Sequence, residues 1–283
     1  MSALETLRLA VPGEETRLKE LWQICFQDDA SYVNRFFDRS YTPGQALVLE
    51  TGGEIVSMLL TFSQEILLPD GAEIPICYVY AFCTHPEHQG HGYGCRLLAY
   101  AEEQAAQMRT CGVVMVPGEE SLFRFYQALG YEVGFSNREQ VISRGVSSDA
   151  LLPVTPCSLE EYQRIRSRFL QGRRWIRYPK KNAAWQECLC QSSGGGLYRV
   201  GDGIAAVDCW SGSVMVKELL AREPEPAAQA LLRTLGQERA LVRTSVPLEA
   251  EEGKPFGVIK WLEPQAQARW AGHRDGYLAF AFD

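Results

Sequence analysis

The amino-acid sequence predicts a mixed α/β protein built from two domains. Strand-like and helix-like stretches alternate along the chain, and its 283 residues exceed one typical domain of about 100–150 residues. With 46% hydrophobic and 22% charged residues, the composition is ordinary for a globular protein and supplies enough apolar residues for two cores. We therefore expect an N-terminal domain over residues 1–146, a linker over 147–156 and a smaller domain over 157–283.

The predicted N-terminal domain mixes strands and helices. Apolar runs rich in β-branched and aromatic residues predict strands at residues 7–10, 46–50, 54–64, 74–84 and 113–116, with two further strands that reach Ser143. Helical spacing and helix-start signals predict helices at residues 14–26, around Phe36, at 92–109 and at 121–129. Gly130 follows the last of these helices, at the position where a glycine commonly ends one.

The predicted second domain follows a polar segment that Gly145, Pro153 and Pro156 interrupt. Its first helix begins at a capping box, Ser158-Leu159-Glu160-Glu161, and is expected to reach Leu170. A second predicted helix contains Trp185, and a third covers residues 224–235. The predicted strands are 197–200, 204–210, 213–221, 241–246, 256–261 and 277–282. The order of elements loosely repeats that of the first half.

Charge and composition argue against several classes of partner. The net charge of −7 disfavours a nucleic-acid surface, because neutralising phosphates requires clustered Lys and Arg. No apolar stretch approaches the ~20 residues of a membrane span, and the chain does not begin with a signal-peptide pattern. The nine cysteines include no Cys-x-x-Cys pair, so we expect reduced thiols in a cytoplasmic protein. The sequence leaves open whether the protein forms a homo-oligomer.

The most informative stretch is a glycine-rich turn between a predicted strand and a predicted helix. The strand ends in Phe82, Cys83 and Thr84, and the turn contains Gln89, Gly90, His91, Gly92, Tyr93 and Gly94. Glycines allow backbone N–H groups to crowd around one point, and the helix N-terminus adds unpaired donors. The helix dipole contributes only about 0.3–1 kcal/mol, so several amides must act together to bind a pyrophosphate.

Three phosphate-binding patterns can be compared with this turn. A Walker loop requires a lysine, which the turn lacks, and a dinucleotide fingerprint requires a glycine or alanine where Cys95 stands. The pattern Gln/Arg-x-x-Gly-x-Gly/Ala fits in full as Gln89-x-x-Gly92-x-Gly94. In this respect the region resembles the GNAT superfamily of acyl-CoA N-acyltransferases. The resemblance implies a mixed, mostly antiparallel sheet flanked by helices, with acetyl-CoA as co-substrate.

The resemblance assigns acetyl-CoA-binding roles to the strand end and the turn. By analogy, the backbone of residues 80–84 would pair with the pantetheine arm, and an N–H near Phe82 or Cys83 would polarise the thioester carbonyl. Residues 89–94 would hold the pyrophosphate. The implied binding residues are Phe82, Cys83, Thr84, Gln89, Gly90, His91, Gly92, Tyr93 and Gly94.

A second stretch resembles the same superfamily. A predicted strand and helix lead into Phe125-Tyr126-Gln127-Ala128-Leu129-Gly130-Tyr131, which is similar to the family's Phe-Tyr-x-x-x-Gly-Phe ending. The matching tyrosine commonly protonates the departing thiolate, so the resemblance implies that Tyr126 is a catalytic acid. A phenol with a pKa near ~10 holds its proton at neutral pH, which suits that role. The family's Asn about seven residues earlier is Glu119 here.

Two other chemistries were considered around the turn. His85, His88 and His91 are spread across a turn that Pro86 and the glycines shape, so they are not expected to point at one metal ion. Cys83 and Cys95 flank the turn, but no His-Asp pairing supports a covalent acyl-cysteine route. We therefore expect no metal site and direct transfer to the acceptor.

The second half resembles a degenerate GNAT-like domain. Residues 214–220 precede the helix at 224–235 as the family's strand precedes its CoA-binding helix, but Pro224 and Pro226 replace the glycines. The tandem arrangement is similar to the enhanced intracellular survival family of acetyltransferases, although this chain is shorter. A sterol-carrier-like second domain is the alternative. In the enhanced intracellular survival family the terminal carboxylate acts as base. The resemblance therefore implies a catalytic role for Asp283, with Glu119 and Glu120 as rival bases.

These features together predict an acetyl-CoA-dependent N-acetyltransferase. The acceptor is expected to be a primary amine, and the acidic charge favours a small cationic molecule. A non-catalytic acyl-CoA sensor with a partner-docking second domain is the alternative function. Acetylation of protein N-termini is a third hypothesis that the sequence leaves open.

Overall fold

The chain divides into two compact units in a computed structural model that describes residues 4–145, 152–210, 212–246 and 253–280. The first unit comprises the residues up to Glu65, then Ile74–Met115 and Ile259–Ala271. The second comprises Ile66–Glu73, Val116–Val258 and the residues from Gly272 onward. These boundaries follow contacts rather than chain order, so the domain division at residues 147–156 stays a prediction.

Strands and helices alternate through both units. The strands are β1 (Glu5–Leu9), β2 (Ala46–Thr51), β3 (Glu54–Leu67), β4 (Glu73–Thr84), β5 (Gly112–Met115), β6 (Glu132–Ser143), β7 (Val154–Pro156), β8 (Trp175–Arg177), β9 (Gly196–Val200), β10 (Gly203–Trp210), β11 (Ser213–Leu220), β12 (Arg239–Ser245) and β13 (Lys254–Trp261). The helices are α1 (Glu15–Phe26), α2 (Ala30–Arg39), α3 (Tyr93–Gln107), α4 (Glu120–Ala128), α5 (Leu159–Leu170), α6 (Lys180–Ser192), α7 (Pro224–Thr234) and α8 (Pro264–Trp270). None of the helices in the described ranges is long and apolar enough to cross a membrane.

The first unit is built on a mixed sheet in the order β1-β2-β3-β4-β5. β1 pairs antiparallel with β2, and β2 pairs antiparallel with β3. β4 and β5 run parallel, because α3 carries the chain back across the sheet between them. Buried aromatic and aliphatic residues of α1 and α2 form part of the core; they include Leu18, Leu21, Trp22, Val33 and Phe36.

The second unit contains a sheet in the order β6-β12-β11-β10-β9-β7. Its pairings are antiparallel except for β11 with β12, which run parallel and are connected through α7. The apolar side of α7, including Ala227, Leu231 and Leu232, lies in one core with Val216 and Val242 of the two strands. The strand–helix–strand unit of β4, α3 and β5 therefore recurs as β11, α7 and β12, as the sequence predicts.

A buried ion pair connects the chain's C-terminal segment to the rest of the second unit. The Arg166 guanidinium contacts the Glu218 carboxylate at 3.0 Å, and both side chains are almost fully buried. Arg166 also donates to the backbone oxygens of Ile176 and Ala279, at 2.9 Å and 3.2 Å. Removing one partner of such a pair typically costs about 3–5 kcal/mol, because a buried charge is left uncompensated. The pair therefore anchors the segment that contains Ala279.

Three expectations about secondary structure differ from the fold. One continuous strand, β6, replaces the two strands expected before Ser143. The expected strand at 277–282 is wrong over its described part, where Gly276 and Tyr277 form only isolated bridges. Side chains replace the strand ladder there, since Tyr178 donates to the Leu278 oxygen at 3.0 Å. The short elements β7, β8 and α8 had not been predicted, and β7 lies within the expected linker.

Candidate active site

The backbone near the C-terminal end of β4 is distorted just before the residues that are expected to bind a ligand. Residues Ile76 to Tyr78 of β4 pair with β5, and β4 then extends for six more residues, to Thr84. Ala81 adopts a left-handed backbone conformation with φ of 49°, which is rare and strained for a residue with a Cβ. This conformation breaks the regular alternation of the strand and redirects the backbone N–H groups of the following residues, Phe82 and Cys83.

The turn after β4 concentrates backbone amides at the start of α3. A short 3₁₀ helix at Pro86–His88 is followed by Gly90 and Gly92, with φ of 78° and 75°, a region that favours glycine. The first α-helical hydrogen bond runs from the Arg96 N–H to the Gly92 oxygen at 3.1 Å. The amides of residues 93–95 precede this bond, so they remain available as donors at the helix N-terminus. We call residues 89–95 the cradle.

Gly94 allows α3 to approach β4 closely. A Cβ at this position would lie 3.3 Å from the Phe82 ring and 3.3 Å from the Thr84 hydroxyl. Both distances are shorter than ordinary van der Waals contact between carbon and its neighbours. The glycine therefore lets the first turn of the helix pack directly against the end of the strand, which brings the cradle amides and the β4 backbone together.

Side-chain hydrogen bonds hold the end of β4 and the start of the cradle. The Gln89 amide donates to the Thr84 backbone oxygen at 3.2 Å. The Ser57 hydroxyl donates to the Cys83 oxygen at 2.8 Å and shares a 2.9 Å hydrogen bond with the Thr84 hydroxyl. Gln89, the first residue of the sequence pattern, thus fixes the turn to the strand rather than pointing away from it.

Two of the three histidines of this region form side-chain hydrogen bonds with local partners. His85 accepts a hydrogen bond from the Glu87 N–H, and His91 bonds through Nδ1 to the Gln89 oxygen at 3.0 Å. The His91 ring also stacks on Tyr93, with centroids 5.5 Å apart. In the part of the chain that the structure describes, no group of three or more His, Cys, Asp or Glu side chains could hold a metal ion.

Arg96 is a candidate binding residue that the sequence analysis missed. It lies in the first turn of α3, and a Cβ on Gly92 would be 3.5 Å from its Nη1 atom. Its guanidinium stacks over the Tyr93 ring at 5.0 Å and pairs with Glu5 at 3.0 Å. The signal was present in the sequence, since Arg96 is the cation nearest to the glycine pattern and a guanidinium suits phosphate groups.

Tyr126 lies on α4 in the second unit, and the cradle lies in the first. The Tyr126 side chain is 7% exposed, and its ring contacts Phe125 and Tyr131 at centroid distances of 5.2 Å and 5.8 Å. Burial raises the pKa of the Tyr126 hydroxyl to about 12. The hydroxyl is therefore fully protonated at neutral pH, as a group that donates a proton must be.

Two of the three residues proposed as bases, Glu119 and Glu120, lie at the start of α4. Glu119 is the N-cap residue of α4 and accepts a hydrogen bond from the Ser121 hydroxyl, and Glu120 is exposed in the first turn of the same helix. Asp283 lies outside the described residues. The segment before it is held firmly, because Phe280 contacts the rings of Tyr162 and Tyr178 at 5.1 Å and 6.2 Å.

The counterpart of the cradle in the second unit cannot present the same amides. α7 begins with Pro224 in its first turn, followed by Glu225 and Pro226, after the N-cap residue Glu223. Each proline lacks a backbone N–H, so two of the first three donors are missing. The carboxylates of Glu223 and Glu225 would also repel a phosphate at this position. The two strand–helix–strand units therefore share topology but differ in the backbone donors at the start of the helix.

A family model matches the first part of the chain. Residues 6–134 match the family model described as an acetyltransferase (GNAT) domain. This range includes the end of β4, the cradle and Tyr126. No curated protein matches the chain in sequence.

Solved structures share the fold over most of the chain. Eis1 from Mycobacterium abscessus has a TM-score of 0.67 at 13% identity, with 95% of this chain and 76% of that chain covered. A GCN5-related N-acetyltransferase from Anabaena variabilis ATCC 29413 has a TM-score of 0.69 at 16% identity, with coverage of 90% and 72%. Another from Kribbella flavida has a TM-score of 0.65 at 16% identity, with coverage of 92% and 72%. At these identities the likeness shows the fold alone.

The close approach at Gly94 predicts a specific loss of stability. Gly94→Val should lower the free energy of unfolding by about 1–3 kcal/mol, because the new side chain overlaps Phe82 and Thr84. Gly118→Val is the matched control, since a Cβ there has no described heavy atom within 4 Å. Urea unfolding of both variants measures the difference, and a Gly94→Val variant as stable as the control would contradict the packing described here.

Proposed function

We propose that the chain, whose residues 6–134 match the model of a GNAT acetyltransferase domain, transfers an acetyl group from acetyl-CoA directly to a primary amine. The single observation that carries this proposal is the cradle at the start of α3. Its left-handed glycines and helix N-terminal amides form an anion site, and the extended end of β4 lies against it through Gly94. An anionic group attached to an extended arm, as in acetyl-CoA, matches both parts.

In the proposed complex, the two parts bind different portions of acetyl-CoA. The N–H groups of residues 93–95 donate hydrogen bonds to the pyrophosphate oxygens, and the nearby Arg96 guanidinium adds a positive charge that favours the phosphates. The pairing of β4 with β5 ends at Tyr78. Beyond it, the β4 backbone is proposed to form hydrogen bonds through its N–H and C=O groups with the pantetheine amides. The distortion at Ala81 supports this proposal, because it changes the direction in which the next N–H groups point.

The proposed reaction needs three kinds of assistance. As the amine nitrogen attacks the thioester carbonyl, a backbone N–H near Phe82 or Cys83 stabilises the negative charge that develops on the carbonyl oxygen. The carbon–sulfur bond then breaks, and Tyr126 donates its proton to the leaving thiolate. The Tyr126 hydroxyl, with a pKa of about 12, carries its proton throughout the neutral range, which is the state that a proton donor requires.

A carboxylate must also accept a proton from the attacking amine, which is largely protonated at neutral pH. We propose Asp283, which carries two carboxylates, its side chain and the chain terminus. The chain just before Asp283 is anchored, since Arg166 donates to the Ala279 oxygen and Tyr178 donates to the Leu278 oxygen. Glu119 and Glu120, at the start of the helix that carries Tyr126, are the rival bases.

The proposed acceptor is a small cationic amine, supported by the net charge of −7, which favours the approach of cations. Thiol release from acetyl-CoA in the presence of a panel of amines tests the activity. We expect release that depends on the amine and is greater for polyamines and other cations than for neutral amines. Acetyl-CoA binding without any thiol release would instead support the alternative, a non-catalytic sensor.

Gly92→Glu is predicted to abolish acetyl-CoA binding. The new carboxylate would occupy the anion site, where its negative charge repels the pyrophosphate. Gly52→Glu is a control with similar backbone strain, because Gly52 has φ of 62° but lies in the β2–β3 turn. Calorimetry should detect binding in the control and none in the Gly92 variant. Unaltered affinity in Gly92→Glu would refute the assignment of the cradle.

Tyr126→Phe is predicted to lower turnover by about 100- to 10,000-fold, the usual contribution of general acid–base catalysis. Affinity for acetyl-CoA should change little, because the hydroxyl acts only as the thiolate forms. Tyr131→Phe serves as the control, since it removes a hydroxyl from the neighbouring buried ring. Steady-state kinetics separates the two variants, and full turnover in Tyr126→Phe would reduce Tyr126 to a packing role.

A short C-terminal extension is predicted to reduce turnover strongly while leaving acetyl-CoA affinity intact. The extension removes the terminal carboxylate at Asp283, and deletion of the last two residues should have the same effect. Asp283→Asn should be milder if the terminal carboxylate is the base. The same extension placed at the N-terminus is the control. Normal rates in the C-terminally extended protein would transfer the role to Glu119 or Glu120.

A further inference from the structure

A buried polar cluster lies in the second unit, between helix α6 and the strands β10 and β11. Asn182 and Gln186 are about one turn apart on α6, so their side chains share one face of the helix. Asp208 is on β10 and Lys217 is on β11. All four residues are buried, which is rare for charged and amide side chains unless other groups pair with them. Their partners therefore indicate what the cluster can bind.

An irregularity in β11 places Lys217 in this cluster. The pairing of β11 with β10 is regular up to Val216 and resumes at Glu218, which leaves Lys217 as one extra residue between two paired positions. Such a β-bulge redirects side chains and is common beside functional sites. The corresponding strand of the first unit, β4, has its own distortion at Ala81. Both strand–helix–strand units thus contain an irregular strand before the helix, and in the second unit a charged residue occupies the irregularity.

Lys217 and Asp208 form the charged side of the cluster. The Lys217 ammonium donates to the Gln186 Oε1 atom at 3.2 Å and lies 3.9 Å from one Asp208 carboxylate oxygen. The other Asp208 oxygen is 3.4 Å from the hydroxyl of Ser193, the C-cap residue of α6. The two charges offset each other. The Asp208 side chain is 10% exposed, so the cluster reaches the surface at this end.

The amide side of the cluster has more hydrogen-bond donors than acceptors. Because the Gln186 oxygen accepts from Lys217, the NH₂ group of the same amide points away from the ammonium. Within the described residues, neither this NH₂ group nor that of Asn182 has a hydrogen-bond partner. Buried NH₂ groups without an acceptor are unfavourable, and the large majority of buried polar side-chain atoms in proteins have one. Two donors on one helix face therefore lack an acceptor from the described chain.

We propose that the second unit binds a small carboxylate at this cluster, whose oxygens accept hydrogen bonds from the NH₂ groups of Asn182 and Gln186. An ionised carboxylate only accepts hydrogen bonds and has two oxygens, which suits two donors on neighbouring turns of a helix. The charge of Lys217 favours a single negative charge, whereas Asp208 disfavours a dianion such as phosphate. The site does not depend on the proposed acetyl transfer.

NMR spectroscopy on the full chain tests the site directly. Sodium acetate is the probe, and sodium chloride at the same ionic strength is the control. We expect the side-chain NH₂ signals of Asn182 and Gln186 to shift together and to saturate with acetate, but not with chloride. The signals are assigned by their loss in Asn182→Leu and Gln186→Leu. Signals that stay unchanged throughout the acetate titration, or that move equally in chloride, would overturn the proposal.

Asn182→Leu tests the contribution of one donor, because it removes an NH₂ group and leaves the hydrogen bond between Lys217 and Gln186 in place. The dissociation constant for acetate, measured from the Gln186 signals, should rise about tenfold or more, as expected when a hydrogen bond to a charged group is lost. Gln191→Leu is the matched control, since it removes an exposed amide from the same helix and should bind acetate as the unaltered chain does.

Two results with these proteins would contradict the site. One is an equal affinity for acetate in Asn182→Leu and Gln191→Leu, because the amide would then take no part in binding. The other is a crystal structure grown in acetate that shows water alone on the NH₂ groups of Asn182 and Gln186. A carboxylate within hydrogen-bond distance of both groups, together with the weaker binding in Asn182→Leu, would confirm it.

Discussion

The close contact between the first turn of α3 and the end of β4 is the constraint on which the candidate site depends. A Cβ at Gly94 would already lie 3.3 Å from the Phe82 ring and from the Thr84 hydroxyl, so a side chain larger than a methyl group would push α3 away from β4. That movement would separate the helix N-terminal amides from the strand backbone. An anion site and an extended-chain site are useful together only when they are adjacent, because one ligand must reach both. A single glycine therefore links the fold of the first unit to its chemistry.

The second unit shows what the same topology does without this chemistry. β11, α7 and β12 repeat the strand–helix–strand arrangement, but Pro224 and Pro226 remove amides where α3 offers them. The unit instead contains a buried Arg166–Glu218 pair that binds backbone oxygens near the C-terminus. Loss of either partner of such a pair would leave a buried charge uncompensated, which suits an anchoring role. The two halves thus share a strand–helix–strand arrangement and differ in the backbone donors at the start of its helix.

Sequence reasoning predicted the recurring local patterns and missed features that depend on distant partners. The helix from Ser158 and the meander at 197–221 are confirmed, because capping and turn signals are local. The segment after Tyr277 is apolar like a strand, but Arg166 and Tyr178 bind its carbonyls, and a pattern of side chains cannot reveal that. The glycine spacing pointed to the cradle, and Arg96 stood beside it in the sequence but was overlooked. The distortion at Ala81 required coordinates, since a left-handed backbone does not follow from an alanine in a strand.

Hydrogen–deuterium exchange with and without acetyl-CoA tests the central claim most directly, because it reports on backbone amides in both units of the same sample. The account predicts slower exchange in peptides that cover the end of β4 and the cradle, residues 79–98, where the amides are proposed to bind the ligand. It also predicts unchanged exchange around residues 223–231, where α7 lacks the corresponding donors. Protection at the start of α7, or none at the cradle under saturating acetyl-CoA, would contradict the claim.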